Sequence, residues 1–420
     1  MNIHKTTNFK FFVLTVLIFL SQYTFSQYKE PDSYREPKKI LTIKKSNSND
    51  NVLFQKAISE VYKAGGGHVV VSSGTYTILN INLQSNVHII FEKDVIIRPD
   101  MEKAPVHLKK GLKSGNIFQL GRKNFTENVS IRGSKKNNVR INFSEETAML
   151  RAFNIGNCKN FKIANITIDD NKTLYSSLVL GWIGEKNGIG LIPTDGLVEN
   201  FKAINANYEF GAVQAQSGLN IVFKDIESIG GVAVRLETGY KKMNDSGTGG
   251  LYDITVENLI SRKGQAALLL QAHTLDHGDI VAKDISAYGS EFAVILEAAF
   301  VSRKNFDENP KKTHGTFQSV TIDKVKAVYE DGPIETKYAH LDKYPIELHP
   351  KIQVVTTNGE KQFFGPSIAA VAHLFKKDNN VKITNIKATG FTHHPDIITP
   401  ENLNTKKKGI KELLSQKKPN

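Results

Sequence analysis

Residues Phe161–Ile168 read F-K-I-A-N-I-T-I, with apolar residues on alternate positions and an Asn breaking the run. The frame returns as L-V-E-N-F-K-A-I (Leu197–Ile204), I-V-F-K-D-I-E-S (Ile221–Ser228) and I-T-V-E-N-L-I-S (Ile254–Ser261). It appears again as I-V-A-K-D-I-S-A (Ile280–Ala287) and V-K-I-T-N-I-K-A (Val381–Ala388), and a weaker copy, V-T-I-D-K-V-K-A, has Lys324 at the aligned position. From Asn165 the beat recurs at Asn200, Asp225, Asn258 and Asp284, at intervals of 35, 25, 33 and 26 residues. These intervals are too long for a hexapeptide solenoid and suit coils of three short strands, each burying its apolar face against the next. The expected fold is all-β, a right-handed parallel β-helix. The Asn/Asp would sit at a corner, where it bonds neighbouring backbone or takes left-handed geometry. An antiparallel sandwich or propeller is the alternative, weakened by the scarcity of hairpin dipeptides such as Asn187-Gly188 and Asn358-Gly359.

Upstream of the repeats, Asn51–Ala64 carries Val52, Phe54, Ala57, Ile58 and Val61 at helical spacing. Asp50 or Asn49 serves as N-cap and Gly65-Gly66-Gly67 as terminator, so a helix is predicted that caps the open end of the first coil. His68–Val71, Tyr76–Ile78 and Val87–Phe91 read as strands. Residues 27–50 read as a polar linker and 51–400 as one β-helix domain. The charged stretch 300–316 and the Pro-, Tyr- and His-rich stretch 331–366 break the rhythm and are expected to be insertions on the binding face. Residues 401–420 form a basic tail.

Lys5 and Lys10 precede an apolar run, Phe11–Leu20, and then Thr24-Phe25-Ser26, with small residues at −3 and −1 of a cut before Gln27. This is the pattern of a secretory signal peptide, too short to span a bilayer, so an exported protein (extracellular or periplasmic) with no membrane anchor is expected. Among 420 residues the one cysteine, Cys158, excludes an intramolecular disulfide and reads as a small buried residue. The formal charge of +13 favours a polyanionic partner, although six lysines of the excess lie in the tail after Asn404. No nucleic-acid motif appears, so an acidic polysaccharide fits better than nucleic acid. A monomer is expected.

Consecutive coils stack at about 4.8 Å and alternate residues face outward. Aligning Val213–Gln216, Leu236–Gly239, Leu270–His273 and Leu296–Ala299 on their apolar beats gives an outward column Gln214, Glu237, Gln271, Glu297. Two residues on, the column reads Gln216, Gly239, His273, Ala299. Arg235, Tyr240, Lys241 and Arg262 flank this patch as candidate substrate-binding residues, since arginine can hold a sulfate through two parallel N–H bonds. The plain alternative is an exposed polar sheet face.

With Gln214 standing 23 residues before Glu237 and His273 36 residues after it, the chain resembles the iota-carrageenases. These are inverting glycoside hydrolases on a right-handed, pectin-lyase-like β-helix that cut β-1,4 bonds of sulfated red-algal galactans. The resemblance also covers the signal peptide, capping helix and coils. It implies that Glu237 is the proton donor, Gln214 helps hold the catalytic water or an ion, and His273 orients or stabilises the site. It further implies endo-acting cleavage of an anionic sulfated polysaccharide without a required cofactor. A structural Ca²⁺ fits oxygen-rich turns such as Asp245–Thr248.

The departure is the base, for the family pattern places an Asp two residues after the donor, where this chain has Gly239. Glu297 would stand two coils from Glu237, at roughly 9–10 Å, against the ~6.5–9.5 Å expected for inversion. Asp245 is the second candidate. The remaining options are water held by Gln214 and His273 alone, or binding without cleavage. Competing readings are a polygalacturonase-like hydrolase, for which Asp169-Asp170 and His277-Gly278 are only suggestive, and a polysaccharide lyase using Tyr240 or Lys241 as base. A non-catalytic carrageenan-binding β-helix is the reading from a different class.

Overall fold

The computed structural model describes residues 28–134, 139–299, 313–357, 360–375, 380–394 and 396–403. The expected signal peptide, most of the 300–316 insertion and the tail from residue 404 lie outside the described residues.

Two long sheets, of fourteen and ten strands among the described residues, enclose one core. Each coil contributes to both. Gly211–Ala215 lies in the smaller sheet and Gly218–Ile229 in the larger; the next coils repeat this with Val232–Glu237 and Leu251–Arg262, then Ala266–Gln271 and His277–Tyr288. The ladders joining these coils are parallel. The fold is a parallel β-helix, as the repeats predict.

The Asn/Asp beat is what bends the twelve-residue strands. Asn165, Asn200, Asp225, Asn258, Asp284 and Asn385 all have φ between +48° and +62°. Short polar side chains tolerate that left-handed geometry best and gain local hydrogen bonds there. Asn165 Nδ2 donates to the Gly133 carbonyl at 2.9 Å, and Asn258 Nδ2 to Asp225 Oδ1 at 2.5 Å on the previous coil. A second left-handed column, Asn128, Asn160, Asp195, Asn220 and Asp253, precedes the first by five residues in each coil from Asn160 onward. It is laddered too, with Asn160 donating to Asn128 at 2.8 Å and Asn220 to Asp195 at 2.7 Å. Between the corners, Ile163, Val198, Phe223, Val256 and Ala282 stack inward with almost no exposure.

The capping helix runs Asp50–Lys63, with Asn49 as N-cap accepting from Val52 N at 3.3 Å. Phe54, Ala57, Ile58 and Val61 are buried against the first coil, whereas Val52 faces solvent. The supposed linker needs correction. Lys39–Ile43 is a strand paired in parallel with Gly67–Val71, and Arg132 binds Glu30 at 2.8 Å. Five residues with mixed burial carry too little alternation to mark a strand in the sequence.

Residues 331–366 form a compact flap. Ile334–Thr336, Gln353–Thr357 and Glu360–Gly365 make a small antiparallel sheet, with two 3₁₀ turns at Tyr338–Lys343 and Ile346–Lys351. Leu341, Tyr344, Leu348 and Ile352 bury with Phe292 and Ile295 of the helix wall. Cys158 is buried, as expected, and burial pushes its thiol well up.

Candidate functional site

The outward face of the smaller sheet and the flap enclose a cavity of about 650 Å³. Val232–Glu237, Ala266–Gln271 and Val294–Glu297 supply its floor. Val234, Leu236, Leu268, Leu270 and Leu296 point into the core, so the alternate residues Arg235, Glu237, Gln271 and Glu297 face the cavity. The observed register pairs Glu237 with Gln271, and Leu270 with Leu296, which keeps Glu237, Gln271 and Glu297 in one column as expected.

Gln214 is the exception. It pairs with Arg235, and Val213 pairs with Val234 rather than with Leu236. The predicted alignment of that coil is therefore two residues out, because a period of two in apolar residues fits either register. Gln214 still reaches Glu237 diagonally, its Nε2 donating to Oε2 at 3.2 Å.

Glu237 is the centre of the cluster. Arg235 forms an ion pair with its Oε2, and His273 Nε2 lies 3.7 Å from Oε1. Arg235 and His273 are both buried, and the guanidinium also sits 5.4 Å from the centre of the Phe210 ring. The segment after Glu237 is fixed from below. Asn244 donates to the Thr238 carbonyl at 2.6 Å and accepts from Thr274, and the Thr238 hydroxyl accepts the His273 backbone N–H at 3.4 Å.

Gly239 shares the neighbourhood of His273. A Cβ there would lie 2.9 Å from His273 Nε2 and 3.4 Å from Glu237 Oε1. The space in which the family pattern puts a carboxylate is thus filled by the imidazole.

Glu297 binds Gln271 through Oε1 at 2.5 Å and Lys343 of the flap through Oε2 at 2.7 Å. Burial by itself would raise its proton affinity, but Lys343 and the hydrogen bonds from Lys343 and Gln271 outweigh it and hold the carboxyl below the usual range. Asp245 stands outside the cavity lining and pairs with Lys241 at 2.6 Å on the small helix Lys241–Ser246. Tyr240 lies 5.9 Å from Trp182, ring centre to ring centre. Gln216 approaches Gly181, two coils from Glu237. Arg262 does not join them: it ends a strand of the larger sheet, bound to Glu227 at 2.8 Å and stacked on Tyr288. Its position after a corner in the long strand put it near Glu237 in sequence only.

The insertion at 331–366, expected on the binding face, does line the cavity. Lys337, His340, Asp342 and Lys343 line it from above, with Glu209 facing Lys337 in an ion pair. Burial raises the Asp342 carboxyl and lowers His340 to about 3, so the latter is neutral. The Tyr, His and Pro content of 331–366 marked an insertion, but not its docking residues. Among the described residues no group of three or more His, Cys, Asp or Glu is arranged to hold a metal ion.

No family model matches the chain. An iota-carrageenase of Alteromonas macleodii is 33% identical over 256 residues, which is 60% of this chain and 50% of that protein. The chain is similar to the iota-carrageenases. A second, from Zobellia galactanivorans, is 28% identical over 278 residues, 65% of this chain and 53% of its own length. These matches span about half the length of the curated relatives. An iota-carrageenase solved in complex with iota-carrageenan fragments superposes with a TM-score of 0.77 at 26% identity, over 89% of this chain and 94% of that one. The similarity to iota-carrageenases therefore rests on sequence and fold together.

Proposed function

We propose that the protein is an exported, endo-acting glycoside hydrolase that cleaves β-1,4 linkages of iota-carrageenan with inversion, using Glu237 as general acid. The observation that carries this reading is the convergence of Gln214, Arg235 and His273 on Glu237 at the floor of one cavity. It is supported by a structural relative that is complexed to iota-carrageenan fragments.

Arg235 is ion-paired with Glu237. A general acid must carry a proton, so a bound sulfate is assigned a second task, drawing Arg235 away and leaving Glu237 beside negative charge. Glu297 is the base of this scheme. It is ionised, lines the same cavity, and stands about two coil steps, roughly 9–10 Å, from Glu237. Asp245 is the weaker candidate because it lies outside the cavity lining, tied to Lys241.

One observation favours a second reading. The imidazole of His273 fills the place beside Gly239, and both oxygens of Glu297 already accept hydrogen bonds. A carrageenan-binding protein without turnover would tolerate both. Release of reducing ends from iota-carrageenan decides between the two, and binding without release establishes the second.

A further inference from the structure

The groove floor continues past the cavity toward the N-terminal coils. Beyond the paired residues Ile155, Leu180, Ala215 and Leu236, the next position in each strand gives the column Gly156, Gly181, Gln216, Glu237. Two glycines leave this part of the floor without side chains. The Arg122 side chain passes over both, and at Gly156 it shares the space with Ile183 and the Gly121 carbonyl. A Cβ at Gly181 would lie 3.7 Å from Arg122 Nη1 and 3.6 Å from the Gln216 amide oxygen, and one at Gly156 would lie 3.1 Å from Arg122 Cδ.

Arg151, on the strand Met149–Ile155, stacks 3.5 Å from the centre of the Tyr175 ring, and its Nε is buried without a hydrogen-bond partner. The two guanidiniums are near enough to repel each other, and no carboxylate is among the charges acting on either. Burial, opposed by Tyr175 and joined by the repulsion of Arg122, depresses Arg151 to about 10. Two like charges held close together on a half-buried surface, with no paired carboxylate among the described residues, are costly for a fold to keep. The two buried arginines among the described residues have such a partner, as Arg132 has Glu30 and Arg235 has Glu237. Trp182 follows Gly181 and stands beside Tyr240, so an aromatic wall runs along the same groove between this pair and Glu237.

We propose that Arg122 and Arg151 form an anion subsite for a sulfate ester of the polysaccharide, two to three coils from Glu237, with Trp182 and Tyr240 as the wall against which a sugar ring lies. The proposal rests on the reading of the protein as acting on a sulfated galactan. The missing counter-ion is then the substrate's own: bidentate arginine–oxoanion bonds form only when the polymer fills the groove.

The test is calorimetric binding of an iota-carrageenan hexasaccharide and its desulfated counterpart to the Glu237→Gln protein, alone and with Arg122→Gln or Arg151→Gln added. Each added substitution is expected to weaken binding of the sulfated hexasaccharide by about tenfold, with little change for the desulfated one. Arg151→Lys, which keeps the charge and loses the paired N–H geometry, is expected to recover part of the loss. Thermal unfolding is expected to stay level or rise in both glutamine variants, since a repelling pair is dissolved. Unchanged affinity, an equal loss for the desulfated hexasaccharide, or a fall in unfolding temperature with affinity intact would each overturn the subsite. Inorganic sulfate competing as effectively as the hexasaccharide would assign the arginines to a free ion and overturn it as well. Failure of the functional reading looks different: the native enzyme then releases no reducing ends, while arginine-dependent binding of the sulfated hexasaccharide persists.

Discussion

Gly239 departs from the pattern of the family the chain resembles, and Lys324 from the chain's own column of corner residues. At Gly239 the expected carboxylate is absent, and a Cβ there would come within 2.9 Å of His273 Nε2. In the proposed scheme the activation of water falls to Glu297, and replacing it by Gln is expected to slow reducing-end release by roughly 10²–10⁴-fold. Unchanged turnover would remove Glu297 from the mechanism. At Lys324 a long side chain occupies a left-handed corner, φ +58°, that elsewhere holds Asn or Asp. That conformation costs an ordinary L-residue about 1–2 kcal/mol, and the exposed contact with Asp284 at 3.7 Å offsets little of it. Lys324→Asn should therefore stabilise the fold by about 1 kcal/mol in chemical denaturation; a loss of stability would contradict the corner's role. These corners were legible in the sequence because one residue type repeats at one beat. The second column, from Asn128 to Asp253, was not. Its members fall in segments of mixed polarity, where no apolar frame draws the eye to them.

At the scale of elements, the strands declared themselves and their register only partly. Val213 and Ala215 alternate as Val234 and Leu236 do, so apolar pattern alone left Gln214 free by two residues, and the backbone pairing of Gly211 with Val232 decided it. The flap shows a different limit. Its docking depends on polar groups that meet only in three dimensions. Glu291, fully buried, accepts from Tyr208 and from Tyr344 at 3.1 Å, and burial raises its carboxyl to about 7 against the opposing hydrogen bonds. A carboxyl raised on folding stabilises fully below its ordinary value of 4.5 and loses that contribution as pH climbs to about 7. Glu291→Gln is expected to flatten the decline in unfolding temperature between pH 4.5 and 7; an unaltered slope would exclude Glu291 as its source. Glu297 has the opposite sign. Lowered on folding, it stabilises above 4.5 and its contribution is lost as pH falls below that value. Lys343→Met should blunt this acid-side loss, read from unfolding temperatures on the two backgrounds, because Lys343 is the flap's charge on Glu297.

The whole molecule joins a solenoid that could be read from its repeats to a roofed site whose roof residues could not. The floor of the site came through in the sequence because Glu237, Gln271 and Glu297 sit on successive coils at one height. The roof came from a distant insertion, and Arg262 was drawn in falsely because nearness along the chain was taken for nearness in space. In the proposed reading the substrate is a sulfated galactan, and the chemistry at Glu237 is what would make the protein an enzyme rather than a receptor for it. The deciding measurement is the release of reducing ends from iota-carrageenan by the native protein and by Glu237→Gln, with the anomer of the first product followed by proton NMR. Expected are release with inversion from the native protein and a loss of at least ~10²-fold in the variant. No release by the native protein, or undiminished release by Glu237→Gln, would contradict the assignment.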